Sequence, residues 1–290
     1  MQNIHRPTDR LLQPRTLIAI CLAVLPLGFA AGYALREWPP SALEAPRPAS
    51  EHRSAAAGAQ NPSPAAPPRA SSAARAGSRG GLDEITNATQ AAAVQTGIDR
   101  TVLLAFAASE SSLRASARNS RSSAVGLMQF TEQSWLLAVR RFGHSHGLGE
   151  LAGRITQRQG RFGMASEEEL SRVLDLRGDA RLAASLAAET ARFNAARFRG
   201  RFGSEAAPDA LYAMHVLGTQ GGLRLLDAVR REPARPASEV IAAPAIAANS
   251  RIFRPQGRDL TATEAMGQLR LRYLAGMDMA MRREVVALRD

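Results

Sequence analysis

The 290-residue chain contains no lysine, so its 37 basic side chains are all arginine; set against 26 acidic ones, they give a formal net charge of +11. Exclusive use of arginine reflects genomic base composition more than a mode of binding. The positive balance leaves the polyanionic partner open, since nucleic acid, anionic lipid and acidic polymers are all attracted to such a surface. Cysteine is nearly absent too. The single Cys21 excludes a disulfide within the chain and any zinc site built on thiolates. It also fails as a lipid attachment point, because bulky Ile20 stands where that processing signal takes a small residue. Apolar and polar residues nowhere alternate convincingly over the length of a strand, and no internal repeat is present.

Charge is missing altogether from Thr16 to Leu35, a stretch preceded by Arg6, Arg10 and Arg15 and followed by Arg36 and Glu37. An apolar run of about 20 residues just crosses a hydrocarbon layer of ~30 Å. The arginines ahead of it predict a cytoplasmic segment 1–15, a membrane-spanning segment 16–35 and export of everything after it. A cleaved signal peptide is the competing reading, with small residues at Gly32 and Ala34, but Pro26 and Gly28 are tolerated in membrane helices and the run is long for a signal core. Residues 36–81 are Pro, Ala, Ser, Gly and Arg with almost nothing large and apolar, a composition that predicts a disordered tether. Its rms reach would be on the order of 35 Å.

From Leu82 the pattern turns helical, and the expected fold is all-α. Asp99 is placed to cap a helix over Arg100–Ser112, where Val102, Leu103, Phe106 and Ala107 recur at helical spacing. Further helical stretches span Gln133–Phe142, Glu167–Leu174, Ala180–Phe198, Asp209–Arg230 and Ala262 to the C-terminus. Glu110 conflicts with its surroundings, because it falls on the apolar face of the first of these helices. Desolvation there disfavours the charged form, which suits a general acid. The plainer alternative is a helix-end glutamate that reaches water or an arginine.

The sequence around it adds to this: Glu110-Ser111-Ser112-Leu113, then Asn119 through Ser122-Ser123-Ala124-Val125-Gly126-Leu127-Met128-Gln129-Phe130. In residue type and spacing together, this stretch resembles the transglycosylase SLT-domain family of the lysozyme-like superfamily. The resemblance implies a lysozyme-like catalytic domain over 82–275, followed by a helical tail 276–290. It implies Glu110 as catalytic acid and base, and cleavage of the β-1,4 bond between MurNAc and GlcNAc of peptidoglycan with formation of 1,6-anhydro-MurNAc. It also implies substrate contacts from Ser122, Ser123, Gly126, Met128 and Gln129. Small residues at 122–126 would let the backbone approach a sugar, and Gln129 offers both a donor and an acceptor. Met128 reads equally as core or as cleft lining, and Phe130 more as core.

A second patch, Asp209 through Tyr212 to Gly218, implies a tyrosine facing the glutamate, here Tyr212, although Met214 and Val216 stand where the family commonly has Asn and Gly. A third, Asn249–Phe253 with Gly257 and Thr261–Glu264, resembles the closing segment of the same branch. A hydrolytic muramidase and a non-catalytic wall-binding protein are the rival readings. Glu132 and Asp209 are the candidates for a second carboxylate, with helix-end roles as the alternative for each. His144 and His146 flank Ser145 without a third ligand nearby, which fits a solvated loop and no metal; His215 reads as a satisfied core histidine. Ser109, Ser111 and Ser112 lack a base at nucleophile spacing. The stretch Arg192–Arg201 reads as an amphipathic helix face. No cofactor is implied. The expected partners are glycan strands and the inner membrane, with no nucleic acid, for a catalytic domain in the periplasm. The process served is left open: growth, division or passage of a wall-spanning machine.

Overall fold

The structure, a computed structural model, describes residues 70–120 and 122–289, which fall within one compact unit spanning Pro64–Asp290. The expected membrane segment 16–35, most of the tether and Cys21 lie outside the described residues. Among those described, no helix is long and apolar enough to cross a membrane.

The architecture is predominantly helical, consistent with the expected class. In chain order it runs α1 (Ala70–Thr96), α2 (Arg100–Ser111), a long loop, α3 (Glu132–Phe142), α4 (Gly149–Arg154), strands β1 (Thr156–Arg158) and β2 (Arg161–Gly163), then α5 (Glu167–Asp175) and α6 (Ala180–Phe202). It continues with α7 (Pro208–Arg231), the short helices α8 (Ala237–Val240), α9 (Ala243–Ala248) and α10 (Ser250–Phe253), and ends in α11 (Ala262–Arg289). The expected helices are all present, with boundaries shifted by a few residues.

Three differences are instructive. Residues 70–81, expected to be part of the tether, belong to α1. The run from Ala70 to Gly81 is free of proline, which would end a helix, and includes alanine and arginine, both good helix formers. The helical tail expected at 276–290 is continuous with the catalytic domain's last helix, because α11 runs without a break from Ala262 to Arg289 and packs on the domain. Ala280 is buried there, and Arg100 pairs with Glu284 at 2.6 Å. Finally, β1 and β2 form an antiparallel hairpin where no strand was expected. Three-residue strands are too short to show alternation.

The helix α2 is the axis of the fold. Asp99 caps it, accepting the Thr101 amide at 2.7 Å, and every residue from Val102 to Ala108 is buried. It is surrounded rather than half-covered: α1, α6 and α11 all pack against it. Small side chains permit close approach. On α6, Ala183, Ala184, Ala187, Ala188 and Ala191 are buried. On α11, a Cβ at Gly276 would meet Ser109 Oγ at 2.0 Å and the Ala105 carbonyl oxygen at 2.6 Å, so only glycine lets the two helices touch there. Trp135 anchors α3, fully buried with its indole N–H donating to the Val173 carbonyl at 2.6 Å.

Candidate active site

Glu110 sits in the last turn of α2, half-buried, just before the helix unwinds. Ser112 and Leu113 then take left-handed conformations (φ 55° and 60°), with their amides bonded back to Ala108 and Ala107. Positive φ at two successive non-glycine residues is strained, and such strain persists only where the surroundings impose it. Here the Ser111 hydroxyl helps, donating to the Ala107 carbonyl at 2.9 Å and accepting the Arg114 amide at 3.1 Å.

Across from Glu110, α7 presents Tyr212, a fully buried side chain whose hydroxyl donates to Glu110 Oε1 at 2.5 Å. The ring packs against Phe106 of α2, with centroids 5.3 Å apart, and against Tyr273 of α11 at 6.0 Å. A third helix completes the arrangement. Arg272 of α11 donates from Nε to the Tyr212 oxygen at 2.9 Å and from Nη2 to the Ser109 carbonyl at 2.8 Å. Burial pushes the Tyr212 phenol well above its ordinary pKa, and the neighbouring Glu110 adds to the effect, so the phenol stays protonated. Burial by itself would lower the pKa of Arg272, but Tyr212 and Glu110 more than offset this and hold it above the ordinary value.

Glu110 opens into a cleft of about 580 Å³. One wall is the loop after α2, with Asn119, Ser122, Gln129 and Phe130. Another is α3 and the hairpin, with Ser134, Arg141, Arg161 and Phe162, and the α7 segment from Met214 to Thr219 closes it. That segment is irregular because α7 is kinked at Gly218, whose φ of 72° is not helical. The hairpin is fixed rather than loose: Gln133 donates to the Phe162 carbonyl at 2.9 Å and accepts the Phe162 amide at 2.7 Å. Among the residues lining the cleft, Glu110 is the single carboxylate, while Arg141 and Arg161 also line it and form no ion pair among the described residues. Arg141 lies over the Phe193 ring instead, 4.0 Å from its centroid.

Residues 87–148 match the family model of the transglycosylase SLT domain. This SLT segment runs from α1 through α2, Glu110, the loop and α3 to Leu148, just before α4. At family level it supports an enzyme that cleaves glycosidic bonds in peptidoglycan. Tyr212 and Arg272 lie beyond it. No curated protein matches the chain.

Within and beyond the SLT segment, the expected substrate residues separate into two groups. Ser122 and Gln129 line the cleft with Glu110, whereas Tyr212 bonds to Glu110 but is fully buried and does not itself line the space. Gln129 is held with φ 48°, its amide nitrogen donating to the Gly126 and Ala117 carbonyls at 3.0 and 3.2 Å, so only its oxygen is left to accept from a ligand. Ser123, Gly126 and Met128 do not line the cleft. Met128 is fully buried and belongs to the core. The Ser123 carbonyl accepts from Arg177 at 2.6 Å and its hydroxyl accepts the Glu132 amide at 3.2 Å, which holds the loop against α3. Gly126 is required by the fold rather than by a sugar: its φ is 85°, and a Cβ there would lie 1.9 Å from the Arg177 carbonyl oxygen.

The candidate second carboxylates are placed elsewhere. Glu132 stands in the first turn of α3 behind its Thr131 cap and is not part of the cleft lining. Asp209 is not the cap of α7, which begins with Pro208 after Ala207; it lies in the first turn and pairs with Arg270 at 3.6 Å. His215 is not enclosed in the core: it lines the cleft, with Nε2 within 3.1 Å of the Met128 carbonyl.

Sequence reasoning missed Arg272, Arg177 and the hairpin. Arg272 and Arg177 gave no local signal, since each is one arginine among many. His146 also differs from the expected solvated loop. It lies in a 3-10 turn (Gly143–His146) with a buried Nε2 that has no hydrogen-bond partner among the described residues. Burial pushes its pKa below the ordinary 6.5, and nearby Glu189 opposes that only in part. The unfolded chain therefore takes up a proton near that pH and the folded one only lower. Stability from neutral His146 is full above pH 6.5 and is lost as the pH falls below it through the folded value. Thermal melts of wild type and His146→Gln from about pH 7.5 down to about pH 5 should show wild type losing ground to the variant. Parallel curves would assign the acid sensitivity to another group.

Proposed function

We propose that the protein is a peptidoglycan lytic transglycosylase, cleaving the β-1,4 bond between MurNAc and GlcNAc and leaving a 1,6-anhydro-MurNAc end. The observation that carries this is the single carboxylate of the cleft. A two-carboxylate glycosidase sets its acidic groups about 5–9 Å apart across the bond, and no second acid lines this space. One carboxylate suffices for transglycosylation. Glu110 in its acid form gives a proton to the glycosidic oxygen as the bond to C1 breaks, and the acetamido oxygen of MurNAc supports the charge developing at C1. Glu110, now a carboxylate, takes the proton of the C6 hydroxyl as O6 bonds to C1, which restores the acid and consumes no water.

The guanidinium groups of Arg141 and Arg161 in the cleft lining suit the same substrate, since the stem peptides on glycan strands carry carboxylates. Wild type is expected to have a KM for peptide-bearing strands about tenfold below that for strands stripped by an amidase, a difference of about 1.4 kcal/mol. In Arg141→Gln/Arg161→Gln that ratio should fall towards one. A ratio unchanged in the double variant would assign the two arginines to the surface alone. The reading includes export, with residues 16–35 holding the chain in the inner membrane, the domain in the periplasm and a Pro- and Ala-rich tether between them.

The test is to incubate the full-length protein with purified peptidoglycan and weigh the released muropeptides. Products one water lighter than the hydrolysed forms support the proposal. Hydrated products would make it a muramidase, and no release would favour a wall-binding protein.

A further inference from the structure

Arg272 belongs to none of the motifs around the glutamate, lies outside residues 87–148, and comes from the last helix of the chain. It nonetheless bonds directly to Tyr212, the side chain that holds Glu110. Although much of Arg272 faces solvent, its head reaches the buried Tyr212 oxygen and the carbonyl of Ser109, the residue immediately before the glutamate. The contact is reciprocal, since the Ser109 hydroxyl donates to the Arg272 carbonyl at 3.1 Å.

The chemistry of these donors restricts where protons can be. A guanidinium only donates, and a phenol has one hydrogen. With Arg272 Nε donating to the Tyr212 oxygen, the phenolic hydrogen is directed to Glu110 Oε1. That oxygen is then an acceptor in both protonation states of the glutamate. A carboxyl's carbonyl oxygen accepts better than its hydroxyl oxygen, so the acid proton is favoured on the other oxygen, Oε2. Without Arg272, the phenol could rotate its hydrogen away, and Oε1 could itself carry the proton and donate to the phenol.

We infer that Arg272 is a positioning residue, which acts through Tyr212 to keep Glu110 Oε1 an acceptor and so confines the transferable proton to Oε2. The inference rests on the proposed role of Glu110 as acid, whichever product results. The charged and titratable groups around the cleft are Tyr212 and His215 on α7, Arg272 on α11, Arg141 on α3 and Arg161 on β2. Of these, Arg272 is the cation linked to Glu110 through a hydrogen bond.

The test is a double-mutant cycle on kcat in the full-length protein, with Tyr212→Phe, Arg272→Met and the pair, and with Arg272→Lys as the conservative variant. Each single change is expected to lower kcat on the order of 10²-fold, with KM little altered. The double variant should be no slower than Tyr212→Phe, because Arg272 acts through the phenol. Arg272→Lys, which keeps a donor and the charge, should return kcat towards wild type where Arg272→Met does not. Additive losses, or an Arg272→Lys variant no faster than Arg272→Met, would reduce Arg272 to a tie between α11 and α2 and overturn the inference. Product masses report separately on the proposed reaction. For a chain that turns nothing over, carbon NMR of the glutamate carboxyls gives the same answer. The resonance missing in Glu110→Gln should shift in Arg272→Met in the same sense as in Tyr212→Phe, and a resonance unmoved by Arg272→Met would overturn the inference.

Discussion

Replacing Glu110 by glutamine removes muropeptide release on the order of 10³-fold or more, the range in which a positioned general acid contributes to a rate. The substitution isolates the chemistry. Glutamine has nearly the same shape, and its carbonyl oxygen can still accept from the Tyr212 hydroxyl as Oε1 does, so the packing of α2, α7 and α11 is kept. What is lost is the proton and the ability to take one back. Thermal midpoint and binding to purified sacculi should therefore match wild type while released product vanishes. Residual activity within tenfold of wild type would exclude Glu110 as the acid; lost binding would instead mean that the substitution had damaged the cleft.

The second large effect is on stability, and it comes from a pair of glycines on one helix. Gly276→Val is expected to cost about 3 kcal/mol, as overpacking of a tight contact does, and in a domain of this size that lowers Tm by about 10 °C. A Cβ there would meet Ser109 Oγ at 2.0 Å, the Ala105 oxygen at 2.6 Å and the Ser109 nitrogen at 2.9 Å. Ser109 cannot easily turn aside, because its hydroxyl is bonded to the carbonyls of Ala105 and Arg272. Separating α11 from α2 also displaces Arg272, one turn earlier, so activity should fall with stability. Gly267 on the same helix has nothing within 4 Å of a Cβ. Gly267→Ala should leave activity intact and raise stability by about 0.5–1 kcal/mol, the entropy difference between the two residues in a helix. Denaturant melts decide the matter, and equal effects at the two positions would disprove the close contact.

Much of the architecture could be read from local pattern. The Asp99 cap and the run from Val102 to Ala108 specify α2, because capping and helical periodicity act over a few residues. Glu110 stood out for the same reason, as a carboxyl on an apolar face. Where the reading failed, the deciding contact was distant. Gly126 looked like an approach to sugar and is an approach to the Arg177 carbonyl, some fifty positions later. Met128 could not be assigned between core and cleft until the neighbours that enclose it were known. The hairpin from Thr156 to Gly163 escaped because its pairing, and its attachment to Gln133, involve too few residues to leave a period.

Along the chain itself, then, lie the helices, the acidic group suited to proton transfer and the arginine excess that turns the surface towards anions. These depend on properties of neighbouring residues, which sequence order preserves. Which carboxylates share the cleft, which serines reach it and which of 37 basic side chains bears on the acid were settled by folding alone. Arg272 is separated from Glu110 by more than half of the described chain, and only the packing of α11 on α2, through a glycine with no side chain to keep them apart, brings its charge to the phenol that holds the glutamate.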